Sequence, residues 1–188
     1  TRKRRGITML DAEKWMRERN YFGLMMVNEG EADTMVTGYS RSYPSVVKPV
    51  LEMIDKAPGV SRIATTNMMM TSRGPIFLSD TAINPNPTAE DLAKIALMTA
   101  KTVRMFGMEP VMAMVSFSNF GSSESENPKK IREAVAYLHK YYPDIIVDGE
   151  IQTDFALNPE MLKSKFPFSK LVNKKVNTLI FPNLDSAN

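Results

Sequence analysis

A polar loop after a long apolar run carries the residue types that could bind an anion. The run 111–117 is continuously apolar except at its sixth position, and the loop SNFGSSESEN follows it directly and precedes a predicted helix. Hydroxyls, an amide and backbone N–H groups next to a helix N-terminus can cradle a phosphate or acyl-phosphate oxygen. The residues that would supply these groups are Ser118, Asn119, Gly121, Ser122 and Ser123. Polar glycine–serine loops are also common as plain connections, so the composition leaves both interpretations open.

Two carboxylates and one imidazole are further candidates for chemistry. Asp148 and Asp154 follow a predicted buried strand and could act as a base or as ligands, although such aspartates more often cap helices or close turns. His139 lies on a helix beside Lys140 and several tyrosines, where a structural role is expected over a catalytic one. No nucleophile elbow, Walker loop or dinucleotide fingerprint occurs in the sequence.

Composition excludes several classes of site. The 188 residues include no Cys and one His, which rules out disulfides, thiolate metal sites and a multi-histidine site within this chain. The net charge is only +3, and its main cluster, residues 2–5, is either a solvated terminal run or a phosphate-binding arm. Nucleic-acid binding has no other support. With no apolar stretch of roughly 18 residues and no signal-like start, we expect a cytoplasmic protein without membrane contact.

Alternating strand and helix patterns predict an α/β fold. We expect helices near residues 12–19, 21–27, 45–56, 89–105 and 127–141, with another from Pro159. We expect strands at 34–37, 111–117, 145–147 and 176–181, and a hairpin formed by 60–70 and 76–79. Pro49 is placed near enough to the first turn of its helix to be tolerated. The order implies a largely parallel sheet covered by helices.

The connection DTAINPNPT, residues 80–88, joins the hairpin to a helix that Thr88 and Asp91 are expected to cap. Its two prolines stiffen the backbone, either to hold a cleft wall or simply to fix a loop. The methionines at 25–26 and 68–70 are interpreted as core-filling residues. In parallel sheets, ligands bind beyond the carboxyl ends of the strands. The loops expected there span residues 38–45, 80–87, 116–125, 148–154 and 182–188.

A resemblance extends over nearly the whole chain. The segments GEAD, VVKPVLEMI, KAPGVSR, LSDTAINPNPTAEDLAKIA, FGMEP, VSFSNFGSS, IIVDGEIQTDFAL and TLIFPNLDSAN resemble, in this order, the phosphate acetyltransferase and butyryltransferase family. Within it, RNYFGLMMVNEG, VTGYSRSYPSVVKP and LNPEMLKSKFPFSK most resemble the C-terminal domain of the large bacterial NADP-dependent malic enzymes. The resemblance implies a truncated, three-layer, two-lobed fold like that of isocitrate and isopropylmalate dehydrogenases. We expect partial lobes at 1–105 and 106–188.

The resemblance also implies a cleft for coenzyme A and acetyl phosphate. We expect that ligand-binding cleft to be lined by Ser40, Lys48, Asn84, Ser116, Ser118, Asn119, Gly121, Ser122 and Asp154. Lys48 stands where the transferases carry an arginine, and therefore lacks the planar fork of a guanidinium. Asn119 and Phe120 replace the family's threonine and lysine. The family's Ser-Arg motif and its following aspartate, which serve coenzyme A and thiol activation, would fall after Asn188.

These departures predict a domain that keeps a binding cleft and has no catalytic residues of its own. Our first hypothesis is a regulatory and oligomerisation domain of a malic enzyme, binding acetyl-CoA as effector, with no cofactor or metal in this chain. NADP and Mg²⁺ or Mn²⁺ would serve the rest of that enzyme, which decarboxylates malate oxidatively to pyruvate. The second is a working acyltransferase that moves acetyl between phosphate and coenzyme A. The third is a purely structural oligomerisation domain. A homo-oligomer is expected in the first.

Overall fold

The computed structural model describes residues 6–187, so the basic cluster at 2–5 lies outside the described residues. The chain separates into two compact units, 1–60 and 61–188. The expected lobe boundary at residue 105 falls within the second unit, so the division into the family's two lobes stays a prediction. No helix in the described part of the chain is long and apolar enough to cross a membrane.

The first unit is helical. Its helices are α1 (Met9–Met16), α2 (Arg19–Asn28) and α3 (Tyr43–Met53). A capping box begins α1, because the Thr8 hydroxyl accepts the Asp11 N–H while the Asp11 carboxylate accepts the Thr8 N–H. The predicted strand at 34–37 is wrong, since these residues form neither strand nor helix. Val36 is almost fully exposed, so this apolar pattern does not mark a buried segment.

Pro49 lies inside α3 and is buried, which corrects its predicted place near the first turn. A proline at this position cannot donate to the carbonyl four residues earlier, which belongs to Ser45. The side-chain amide of Asn20 lies 3.5 Å from that carbonyl oxygen. Asn20 is itself buried and joins α2 to α3 at the point where the helix lacks a backbone bond.

A single five-stranded sheet organises the second unit. Its order is β1 (Thr66–Thr71), β2 (Gly74–Ser79), β5 (Thr178–Ile180), β3 (Val111–Val115) and β4 (Ile146–Ile151). The β1–β2 pair is antiparallel, which confirms the predicted hairpin, and the other three pairs are parallel. The predicted largely parallel α/β fold is confirmed.

Side chains of the sheet alternate between two apolar layers. Met112, Met114 and Val147 pack with α4 (Ala89–Met105) and α5 (Glu126–Tyr141) on one face. Ala113, Val115 and the β4 residue Ile151 pack on the other face, against α6 (Thr153–Leu157), α7 (Pro159–Lys165) and residues 171–176. A short helix, α8 (Leu184–Ala187), follows β5. The continuous apolar run predicted for β3 is explained by burial on both faces.

The methionines of β1 contradict the prediction that they fill the core. Met68, Met69 and Met70 are 44, 48 and 71% exposed. The reason is topological, because β1 is the edge strand of the sheet and pairs only with β2 among the described strands.

The strands β3 and β4 pack closely at Gly149. This glycine has φ +146°, and a Cβ there would lie 2.5 Å from the Met114 carbonyl oxygen.

Candidate functional site

The carboxyl ends of β2, β3, β4 and β5 lie along one edge of the sheet, as parallel pairing requires. Two of the loops that follow these strands contact each other directly. The Leu184 N–H donates to the Pro85 carbonyl at 3.1 Å. Lys130, from the first turns of α5, donates to the Asn86 side chain at 2.8 Å and to the Pro182 carbonyl at 3.0 Å. Burial lowers the pKa of the Lys130 ammonium.

The loop after β3 is held by a buried carboxylate that sequence reasoning missed. Glu150 in β4 is fully buried. Its Oε1 atom accepts from the Ser118 hydroxyl at 3.0 Å, the Gly121 N–H at 2.8 Å and the Arg132 guanidinium at 3.1 Å. The Ser118 and Ser122 hydroxyls lie 2.9 Å apart. These five residues therefore form one network that fixes the loop on the end of β4.

The backbone N–H groups of this loop have protein acceptors. The Ser118 N–H donates to the Ser116 hydroxyl, and the Asn119 N–H donates to the Ser122 hydroxyl. The Gly121 N–H donates to the Glu150 carboxylate. The backbone N–H of residue 120 donates to the Glu150 carbonyl, and that of residue 122 donates to the Asn119 carbonyl. The donors expected to cradle a phosphate between positions 118 and 122 are thus occupied within the protein. A ligand at this loop would have to be bound by side chains, or by backbone N–H groups after position 122.

The side chains of Asn119 and Phe120 both contact other residues of the second unit. The Asn119 side chain donates to Gln152 Oε1 at 2.6 Å and accepts the Gln152 N–H at 2.8 Å. Phe120 has φ +43°, an uncommon value for a residue with a side chain. Its ring centroid lies 5.0 Å from those of both Phe166 and Phe168. This aromatic contact holds the tip of the loop against the segment that follows α7.

The loop after β2 is built around Asp80. This buried carboxylate accepts the Thr65 hydroxyl at 2.6 Å, the Asn84 N–H at 2.7 Å and the Asn84 side-chain amide at 2.5 Å, among other donors. Burial favours the neutral acid, but the hydrogen bonds from Thr65, Asn84 and Ala82 outweigh it and lower the pKa of Asp80. Asn84 also donates to the Ile63 carbonyl, so its amide is engaged inside the fold.

The helix that follows this loop begins as predicted. Thr88 and Asp91 form a reciprocal capping box at the start of α4. Arg62 contacts the Asp91 carboxylate at 2.5 Å and the Asn84 side chain at 3.3 Å, which ties the cap to the Asn-Pro segment. The prolines at 85 and 87 therefore lie between the Asp80 network and the Asp91 capping box, and the carboxylates of both are hydrogen-bonded.

The remaining predicted site residues lie apart from these networks. Asp154 is exposed at the start of α6 and accepts the N–H of Phe155. Ser40 and Lys48 belong to the first unit. The Ser40 hydroxyl accepts from Arg19 at 3.0 Å and lines a cavity of about 380 Å³ with residues 35–39. The Lys48 side chain is 72% exposed and lies 3.9 Å from Glu52. Ligand binding at all nine residues stays a prediction.

The other two candidates have structural roles. Asp148 lies within β4 and not after the strand as predicted, and its buried carboxylate accepts the Ser169 hydroxyl and the Lys170 N–H, both at 2.8 Å. It therefore ties β4 to a distant segment of the chain and does not close a local turn. The Nε2 atom of His139 lies 2.7 Å from the Val147 carbonyl oxygen, which agrees with the structural interpretation.

Comparison with known proteins identifies the family of this sheet and its loops. A family model described as phosphate acetyl/butaryl transferase matches residues 1–188. The chain belongs to this family. It is 37% identical over 194 residues to a phosphate acetyltransferase of Clostridium acetobutylicum, covering 100% of the chain and 58% of that protein. It is 40% identical over 189 residues to an NADP-dependent malic enzyme of Salmonella typhimurium, covering 98% of the chain and 24% of that enzyme.

Solved structures of transferases agree with this assignment. A phosphotransacetylase from Streptococcus pyogenes superimposes with a TM-score of 0.84 at 41% identity, covering 98% of the chain and 57% of that structure. A branched-chain phosphotransacylase from Enterococcus faecalis, at 20% identity and a TM-score of 0.66, shares the fold. The chain thus spans between about a quarter and three fifths of the length of these relatives.

Within this transferase-family fold, three charged residues of the site were not predicted from the sequence. Glu150 falls within the loop predicted at 148–154, whereas in the structure it lies in β4. Its neighbours Gly149 and Ile151 carry no local signal of its burial. Arg132 and Lys130 fall within the helix predicted at 127–141, and no role was predicted for either side chain. Both lie within the first two turns of α5, where Arg132 donates to the Ser123 carbonyl of the preceding loop and Lys130 contacts the loops after β2 and β5.

Proposed function

We propose that this chain is a regulatory and oligomerisation domain of an NADP-dependent malic enzyme. It binds acetyl-CoA as an effector and does not transfer its acetyl group. The parent enzyme would oxidatively decarboxylate malate to pyruvate with NADP and Mg²⁺ or Mn²⁺, using residues outside this chain. Support for the parent comes from the 40% identity to a malic enzyme over nearly the whole chain.

One observation carries the proposal: the loop after β3 is closed on itself. An acyl transferase must stabilise negative charge on phosphate and on the reacting carbonyl, which requires cations or free donors aimed at the ligand. In this loop Asn119 and Phe120 stand where the resemblance places a threonine and a lysine. Asn119 is paired with Gln152 and Phe120 lies between two other rings. The tip of the loop therefore presents no cation to a ligand.

Lys48 is the cation through which the effector's phosphates would be recognised. Its ammonium is well exposed, and its only described partner, Glu52, is at the outer limit of an ion pair. A lysine attracts phosphate as a point charge and lacks the two-point grip of arginine on a reacting group. This favours binding over polarisation of the acyl carbonyl. Because the side chain is solvated, its replacement should leave the fold intact.

The effector role is tested by calorimetric titration of the intact protein with acetyl-CoA, combined with malate turnover at fixed NADP and metal. We expect saturable heat, a change in turnover, and a clear loss of affinity in Lys48→Ala. Lys101→Ala, which removes an exposed lysine of α4, is the matched control and should bind normally. Absence of heat together with unchanged turnover would rule the effector role out.

Self-association is the second part of the proposal. β1 is an edge strand whose three consecutive methionines are exposed, and an unpaired apolar edge favours pairing with another chain. We expect light scattering of the intact protein to give the mass of an oligomer. A monomer at micromolar concentration would contradict this part and leave effector binding untouched.

The alternative function is phosphate acetyltransferase activity. It is favoured by the curated relatives of that name, such as those of Clostridium acetobutylicum at 37% identity and Treponema pallidum at 40% identity. An assay for acetyl-CoA formation from acetyl phosphate and coenzyme A decides between the two. Turnover that Lys48→Ala abolishes would establish the transferase.

A further inference from the structure

Three cations lie together at the edge of the sheet opposite the candidate site. Arg73 is in the β1–β2 turn, and Lys174 and Lys175 precede β5. These positions are at the amino ends of β2 and β5, whereas the loops described above follow the carboxyl ends. All three residues line two neighbouring cavities, of about 820 Å³ and about 360 Å³. The larger cavity has the volume of sites that hold small organic ligands.

No carboxylate neutralises these three cations among residues 6–187. The Arg73 guanidinium donates to the Leu157 carbonyl at 3.2 Å, and the Lys175 ammonium donates to the Arg73 carbonyl. The Lys174 ammonium has no hydrogen-bond or ion-pair partner in the described part of the chain. Glu109 also lines the smaller cavity, but its carboxylate pairs with Arg104 at 2.8 Å. The cluster therefore has a net positive field and free donor capacity.

The walls of the larger cavity are mainly aliphatic. Pro75, Ile76 and Val176 come from the sheet side, and Leu157 and Pro159 from the α6–α7 connection. A flat apolar group could pack between these walls while the three cations meet an anionic group at the mouth. Three positive charges favour a ligand with several negative charges over a single carboxylate. A purely apolar ligand would leave the cations without a partner.

We propose that this cavity binds a nucleoside polyphosphate. Its phosphates would be held by Arg73, Lys174 and Lys175, and its base would pack on the aliphatic wall. Arginine and lysine are the side chains that recognise phosphate oxygens by charge-assisted hydrogen bonds. The site uses no residue of the loops around Asp80 and Glu150, and it does not depend on the effector role proposed for Lys48.

The test is calorimetric titration of the intact protein with ATP. We expect saturable binding that weakens as salt is raised, because phosphate contacts are screened. Lys174→Glu should weaken it by at least about tenfold, the loss expected for one charge-assisted contact. Lys101→Glu makes the same charge change on α4 and should stay within about twofold of the parent. Tripolyphosphate should compete with ATP, whereas adenosine should not.

Acetyl-CoA itself carries an adenine nucleotide, so the two sites must be separated. ATP binding should persist in Lys48→Ala and in saturating acetyl-CoA, and acetyl-CoA binding should persist in Lys174→Glu. Absence of ATP heat, or ATP binding that Lys174→Glu does not weaken, would overturn the proposal. Displacement of ATP by acetyl-CoA would also overturn it, since both ligands would then share one site. Failure of acetyl-CoA to bind would affect only the effector role.

Discussion

The Oε1 atom of Glu150 accepts the Ser118 hydroxyl at 3.0 Å, which joins the end of β4 to a loop 32 residues earlier in the chain. The same oxygen accepts the Gly121 N–H and the Arg132 guanidinium. A buried carboxylate with three donors is costly to remove, because each donor then loses its acceptor. The closed state of the loop thus depends on one residue of the neighbouring strand.

We predict that Glu150→Ala lowers the free energy of unfolding by about 3 kcal/mol, the cost of removing one partner of a buried charge network. Glu124→Gln is the matched control, because Glu124 contacts the same Arg132 from a side chain that is 85% exposed. It should change stability by less than about 0.5 kcal/mol. Denaturant unfolding monitored by fluorescence and circular dichroism measures both. Equal effects would show that burial of Glu150 does not organise the loop.

The aromatic anchor of the same loop gives a second prediction. Phe120→Ala removes the ring that contacts Phe166 and Phe168, and we expect a loss of about 2 kcal/mol with faster amide exchange at residues 116–123. Phe117→Ala removes a ring from the same loop that is 66% exposed, and it should have little effect on either quantity. If the two variants exchange alike, the ring of Phe120 does not hold the loop.

The sequence predicted those elements whose signals are local. The helix α4 has a capping box and an apolar face at a spacing of three to four residues, and both are found in the structure. The segment 34–37 has a strand-like composition but pairs with no strand between residues 6 and 187, and pairing cannot be inferred from composition. Glu150 contacts Ser118 only because β3 and β4 pair in parallel, so the network depends on register. Loop positions were therefore predictable, whereas the residue that fixes the loop was not.

Stability in acid should depend on Asp80. Its pKa in the folded protein is below the ordinary value of 3.8, although burial acts in the opposite direction. The ionised form is therefore favoured by folding: the stabilisation is present above pH 3.8 and is lost as the pH falls through the folded pKa. We expect the stability of Asp80→Asn to be lower at neutral pH and to fall less steeply below pH 4. Parallel curves for the two proteins would contradict this.

Stability in alkali should depend on Tyr21. Burial and the hydrogen bond to Glu52 raise the pKa of its phenol from 10.0 to about 12. The neutral phenol is favoured by folding, so its contribution is complete below pH 10.0 and is lost as the pH rises through about 12. The phenolate absorbance is measured against pH for the parent and for Tyr21→Phe, and the difference between the two curves gives the titration of Tyr21. A midpoint near 10.0 would show that the contact with Glu52 is absent in solution.

The most direct test of the central claim is an acyl-transfer assay on the same preparation of intact protein that is titrated with acetyl-CoA. We predict saturable binding of acetyl-CoA and no formation of acetyl-CoA from acetyl phosphate and coenzyme A above a heat-inactivated sample. Turnover that is lost in Lys48→Ala would contradict the claim, because a loop closed on Glu150 would then be no obstacle to catalysis.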